Sequence, residues 1–255
     1  MRMRLFLMPL LAVALLTAGC ASKYLNDEYL PPQKLYAEAH SDILSGDYVT
    51  AKKRLQTLES RFPFNDYGVQ AELDLIYVHY MAAEYDLAED AADRFIREHP
   101  RNPFVQYAYY MKGVAYFDHP PGMVARLFGH DNFQRDPSNS EKSFQAFQLF
   151  LEKFPNSKYA PDARQRMVFL RQRLAKYEWA VADYYVRRGA WISALNRCYE
   201  IINKYPRTSS VKPALQIMAT VYTKLGLTEL AADTKKTLEL NFPGTPWQYK
   251  AHGPA

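Results

Sequence analysis

The chain has 255 residues, is 48% hydrophobic and 15% aromatic, and carries 32 Lys plus Arg against 27 Asp plus Glu, a formal net charge of +5. That surplus is too small and too evenly spread for a nucleic-acid surface, and two cysteines exclude a disulfide framework. The length suffices for one large domain or a repeat array with a sizeable buried core.

Residues 1–19 begin with Arg2 and Arg4, run apolar from Leu5 to Leu16, and end in Thr17, Ala18 and Gly19 before Cys20. The apolar run is too short to span a bilayer, which takes about 20 residues. It fits the core of a secretory signal. A cysteine directly after the small residues resembles a bacterial lipobox, with Thr17 where Leu is usual. This reading predicts cleavage between Gly19 and Cys20 and acylation of the Cys20 thiol. A plain signal peptide with a chance cysteine is the competing reading. Loss of Arg2 and Arg4 leaves 30 basic against 27 acidic side chains, and Cys198 as the remaining thiol. Residues 20–33 are polar, contain Pro31-Pro32, and read as a flexible lipidated tether with a reach of roughly 20 Å.

From residue 34 the chain repeats. An aromatic or His precedes Pro at Phe62-Pro63, His99-Pro100, Phe154-Pro155, Tyr205-Pro206 and Phe242-Pro243. Twelve residues before each Pro stands a small residue: Ala51, Ala88, Ser143, Ala194 and Ala231. Seven residues after each small one comes Leu58, Phe95, Phe150, Ile201 or Leu238. Gly46, Gly189 and Gly226 lie five residues before the small position. Gly closes a helix and opens a tight turn. The small residue allows two helices to cross closely, and the apolar one continues the same face two turns on. Pro ends the second helix.

The pattern predicts an all-α tetratricopeptide-repeat solenoid of five helix-turn-helix units over 34–246. Its N-terminal half is about 34–117, its C-terminal half about 138–246, with a tail at 247–255. Pro-to-Pro distances of 37, 55, 51 and 37 locate two insertions. In repeat three, residues 118–137 are rich in Pro, Gly and Asp and form a loop between the two helices. In repeat four the apolar positions Ala160, Ala163, Met167, Leu170, Leu174, Tyr177, Val181 and Tyr184 continue without a break. The first helix there is elongated to about 28 residues, or roughly 42 Å.

Phosphate-binding glycine loops, the nucleophile elbow and H-E-x-x-H are all absent from the sequence. The six His are scattered, so no metal or cofactor is expected, and Cys198 reads as a small buried hydrophobe. The chain is expected to be a binding scaffold and not an enzyme.

The stretches "RFPFNDYGVQAELDLIY" (61–77), "DRFIREHP" (93–100), "RDPSNSEKSF" (135–144), "FPNSKYAPDA" (154–163) and "VFLRQRLAKYEWAVADYYVRRGAW" (168–191) resemble the BamD family, tetratricopeptide lipoproteins of the β-barrel assembly machinery. The last repeat and the tail match that family less well. The resemblance implies a non-enzymatic subunit, lipid-anchored in the outer membrane and facing the periplasm. Ala21, rather than Asp, follows Cys20, which agrees with outer-membrane sorting. The implied partners are a POTRA domain of BamA on the C-terminal repeats, other Bam lipoproteins, and unfolded outer-membrane proteins on the N-terminal repeats. Phe62, Phe64 and Tyr67 are the candidates for a substrate groove. Arg187, Arg188 and Arg197 are the candidates for docking BamA. A pilot lipoprotein for a secretin or pilus system is the alternative.

Overall fold

A computed structural model of the chain describes residues 29–119 and 137–251. The signal segment, Gly19, Cys20, most of the tether and most of the 118–137 segment lie outside these residues. The described residues form ten helices and no strand. None of these helices is long and apolar enough to cross a membrane.

The chain divides into two compact units, Met1–Met111 and Lys112–Ala255. The first holds α1 (Pro32–Ser45), α2 (Tyr48–Arg61), α3 (Asp66–Met81), α4 (Tyr85–Glu98) and the start of α5 (Val105–Asp118). Helix α1 packs on α2, α2 on α3 and α3 on α4, and α1 touches α3. The second holds the rest of α5, then α6 (Ser138–Lys153), α7 (Ala160–Arg187), α8 (Trp191–Lys204), α9 (Val211–Lys224) and α10 (Thr228–Asn241). There α6 to α10 pack in succession, and α7 also touches α9.

The repeated residues explain these elements. Ala51, Ala88, Ser143, Ala194 and Ala231 are all buried, as are Leu58, Phe95, Phe150, Ile201 and Leu238. In the second unit the small position permits close approach. Ser143 Oγ donates to Gly113 O at 2.9 Å, and a Cβ on Gly113 would lie 2.6 Å from the Phe147 ring. Each pre-proline residue leaves the helical region in the same way. Phe62, His99, Phe154, Tyr205 and Phe242 have φ between −140° and −123° and ψ between 48° and 67°. Each donates its N–H to the carbonyl of the buried apolar residue four positions back.

Gly46, Gly189 and Gly226 have φ of 79°, 71° and 72°. The equivalent turn after α3 places Ala83 at φ 58°, a left-handed conformation that a Cβ disfavours by about 1–2 kcal/mol. Pro32 is the first residue of α1 and Pro31 its N-cap. The tether therefore stops short of Pro32, because proline is pre-organised for the first helical position.

Helix α7 has 28 residues. Its buried face departs from the apolar series. After Leu174 the buried positions are Ala175, Glu178, Ala182 and Asp183, while Tyr184 is exposed. A straight 3.6-residue helix drifts about 20° per heptad against a 3.5 pattern. The drift brings two carboxylates inward where Tyr177, Val181 and Tyr184 were expected.

Candidate functional site

In the first unit, Phe62 caps α2 and packs with Tyr67 against the core of Leu55, Leu58, Ala71 and Leu75. The fit is close: a Cβ on Gly68 would lie 2.1 Å from Phe62 O. The Arg61 guanidinium stands 5.0 Å from the Phe62 ring centre. The Tyr67 ring meets Tyr36 at 5.6 Å, and the Tyr36 hydroxyl donates to Asp74 Oδ2 at 2.9 Å. Burial raises the pKa of both Tyr36 and Asp74. Phe64 is fully exposed. The three aromatics thus divide: Phe62 and Tyr67 belong to the packing, and Phe64 alone projects into solvent.

In the second unit the three arginines have separate contacts. Arg187 Nε lies 3.2 Å from Asp183 Oδ2, one helical turn back. Arg188 lies over the Tyr184 ring at 5.3 Å. Arg197, on α8, donates through Nη1 to Glu178 Oε2 at 3.1 Å. Glu178 precedes Arg187 by nine residues, about 13 Å along the helix axis, so this pair draws Arg197 away from the other two. The Arg197 side chain is 40% exposed and that of Glu178 12%. Burial raises the Glu178 carboxyl pKa, and Arg197 opposes the rise. The pair borders a concavity of about 490 Å³ that also receives Glu141, Ser193, Glu200 and Lys204. It offers charges of both signs, suited to a polar partner surface.

Some polar groups had no signal in the sequence. Glu84 Oε1 binds Lys52 Nζ at 2.6 Å, and Glu84 Oε2 meets His79 Nδ1 at 2.7 Å. These hydrogen bonds hold the Glu84 pKa below the usual carboxylate range. They tie α2 and α3 to the turn before α4. Glu72, Glu98 and His99 bring ligand atoms within 4.8 Å of one another. His99 Nε2 already meets Glu72 Oε2 at 3.0 Å, which gives the buried Glu72 carboxylate an internal partner. Cys198 is fully buried, and burial pushes its thiol up to about 12, away from nucleophilic reactivity.

The family model described as "YfiO: Outer membrane lipoprotein" matches residues 28–238. The chain is 42% identical over 222 residues to "Outer membrane protein assembly factor BamD" of Neisseria meningitidis serogroup A, covering 87% of this chain and 83% of that one. It is 39% identical over 232 residues to the Vibrio cholerae protein of the same name, covering 91% and 96%. "MamA AMB-1 P212121" aligns over 84% of this chain and 93% of its own at 14% identity and a TM-score of 0.34, a likeness too low to inform the fold. On the match to residues 28–238 and the identity shared with these relatives, the chain belongs to the YfiO family of outer membrane lipoproteins.

Proposed function

We propose that this chain is a non-enzymatic scaffold of the outer-membrane β-barrel assembly machinery, anchored by acylated Cys20 and facing the periplasm. Its C-terminal unit docks a POTRA domain of BamA, and its N-terminal unit receives unfolded outer-membrane proteins. The observation that carries this reading is the kinship with assembly factors along 222 residues, 87% of the chain. The Arg197–Glu178 pair at a charged concavity supports the docking half. Its guanidinium engages Glu178 through one nitrogen and can offer its remaining donors to a partner carboxylate. The exposed Phe64 ring supports the substrate half.

Purification of the chain from detergent-solubilised outer membranes tests the reading, with BamA as the expected companion. Recovery of a secretin instead would transfer the chain to the pilot class, and recovery of neither would refute both. Arg197→Gln is expected to weaken BamA binding about ten-fold or more, as for a charge lost at an interface. A photoreactive residue at position 64 should crosslink to a C-terminal peptide of an outer-membrane protein in preference to its scrambled counterpart. Equal crosslinking to both peptides counts against a specific substrate site.

A further inference from the structure

Glu72 on α3, with Glu98 and His99 at the end of α4, brings together three ligand atoms within 4.8 Å of one another. The Glu72 side chain is 7% exposed and that of His99 25%, whereas Glu98 is open to solvent. His99 Nε2 meets Glu72 Oε2 at 3.0 Å. The imidazole is held from behind. Its ring lies 4.8 Å from that of buried Phe95, and its backbone N–H donates to Phe95 O at 2.8 Å.

A carboxylate–imidazole hydrogen bond needs only Glu72 and His99. Glu98 works against it, because a second carboxylate repels the first. Burial raises the Glu72 pKa, His99 opposes the rise, and the charges of Glu59 and Glu98 add to it. Glu59 is balanced by Arg94 Nη1 at 2.9 Å. Two carboxylates around one imidazole carry negative charge that a divalent cation neutralises and a hydrogen bond does not. The last carbonyls of a helix also favour a cation, and Glu98 is the last residue of α4 with His99 as its C-cap.

Zinc takes imidazole nitrogen and carboxylate oxygen at about 2.0–2.2 Å in a tetrahedron, which sets neighbouring donors about 3.3 Å apart. The Glu72–His99 separation of 3.0 Å is already close to this. Glu98 has to close by at most about 1.5 Å, within reach of an exposed, flexible side chain. An imidazole among carboxylates selects zinc over magnesium and calcium, which take oxygen donors.

We propose that Glu72, Glu98 and His99 form a zinc site, with water as the fourth ligand, that clamps α3 to the end of α4. The ion takes the place of the hydrogen between His99 Nε2 and Glu72 Oε2, and the neutral imidazole keeps its proton on Nδ1. The partial exposure of His99 leaves the ion a path from solvent. The site does not rest on the assembly reading and needs no partner protein.

Calorimetric titration of zinc chloride into the tag-free full chain in detergent tests this at neutral pH. One tight site per chain is expected, and zinc at about a hundred-fold excess over Kd should raise Tm by about 5 °C or more. Glu98→Gln alters an exposed side chain and preserves the fold; it should weaken binding about ten-fold or more, as should His99→Asn. His40→Gln changes an exposed imidazole outside the site and should bind zinc as the unaltered chain does. The proposal is overturned if the unaltered chain binds no zinc, if Glu98→Gln binds it as tightly, or if His40→Gln weakens binding as much as Glu98→Gln does.

Discussion

Replacing Arg197 with Gln removes a charge, keeps most of the side-chain length, and leaves Glu178 without its cation. Exposed ion pairs contribute about 0–1 kcal/mol, and breaking a fully buried pair costs about 3–5 kcal/mol. Here one partner is 40% exposed and the other 12%, so the loss falls between, at about 1.5 kcal/mol. For a body of this size each kcal/mol moves Tm by about 2–4 °C, giving a drop of about 3–6 °C at pH 7. The deficit must depend on pH. Burial raises the Glu178 pKa in the folded state and Arg197 opposes the rise, so the variant raises it further. A carboxyl that holds its proton more tightly when folded loses stability as pH rises from its unfolded pKa, about 4.3, through its folded value. The deficit is therefore greatest at neutral pH and shrinks as pH falls through about 4, where Glu178 is mostly protonated in both states. Thermal melts of both proteins between pH 4 and pH 8 read this directly. An unchanged Tm at pH 7, or a deficit of equal size at pH 4, refutes the reasoning.

Arg54 is 3% exposed and pairs with buried Asp42 and with Glu38 Oε2 at 3.0 Å; Arg54→Ala should cost about 3–5 kcal/mol in urea unfolding. Gly68→Ala puts a Cβ 2.1 Å from Phe62 O and should cost about 2–3 kcal/mol by forcing the α2–α3 junction apart, read as a lower denaturation midpoint. Ala83→Gly relieves a φ of 58° and should raise stability by about 0.5–1 kcal/mol after the entropy lost by glycine, seen as a higher Tm. Cys20→Ala should leave the chain unprocessed or released from membranes with the same helix content; a variant still processed and retained through high-salt washing refutes the lipobox.

What was legible in the sequence was whatever repeats along it. The small residue, the apolar residue seven on and the Pro five further recur because each unit solves the same packing problem, and all ten small and apolar positions are buried. The elongated helix was legible because its apolar positions run on without a break, although its buried face drifts off that series after Leu174. The candidate sites were far less so, because they depend on contacts without a local pattern. Asp42, Glu72, Glu178 and Asp183 carry no signal in the sequence, yet each is buried. Their partners stand 12, 27, 19 and 66 residues away. Ala83 carries no signal either, since a left-handed turn is expected at glycine. Tyr249 sat in a tail with no repeat to flag it.

The Arg197 pair shows what this does to a functional reading. A half-exposed arginine taken from sequence invites an external carboxylate as its partner, but here Glu178 is already in place. A docking carboxylate must therefore either displace Glu178 or join it on the same guanidinium. Displacement leaves Glu178 buried, charged and uncompensated, which is unfavourable at neutral pH. Joining uses donors beyond Nη1 and keeps the internal pair, at the cost of drying two carboxylates around one cation. The second route is the less costly, and it makes the interface sensitive to Glu178 as well as to Arg197. Glu178→Gln should then strengthen binding of an acidic partner by either route, because it removes the carboxylate that competes for Arg197 or crowds it. Measuring BamA affinity in the Glu178→Gln chain checks this, and unchanged or weaker binding in that chain would exclude an acidic partner at Arg197 altogether.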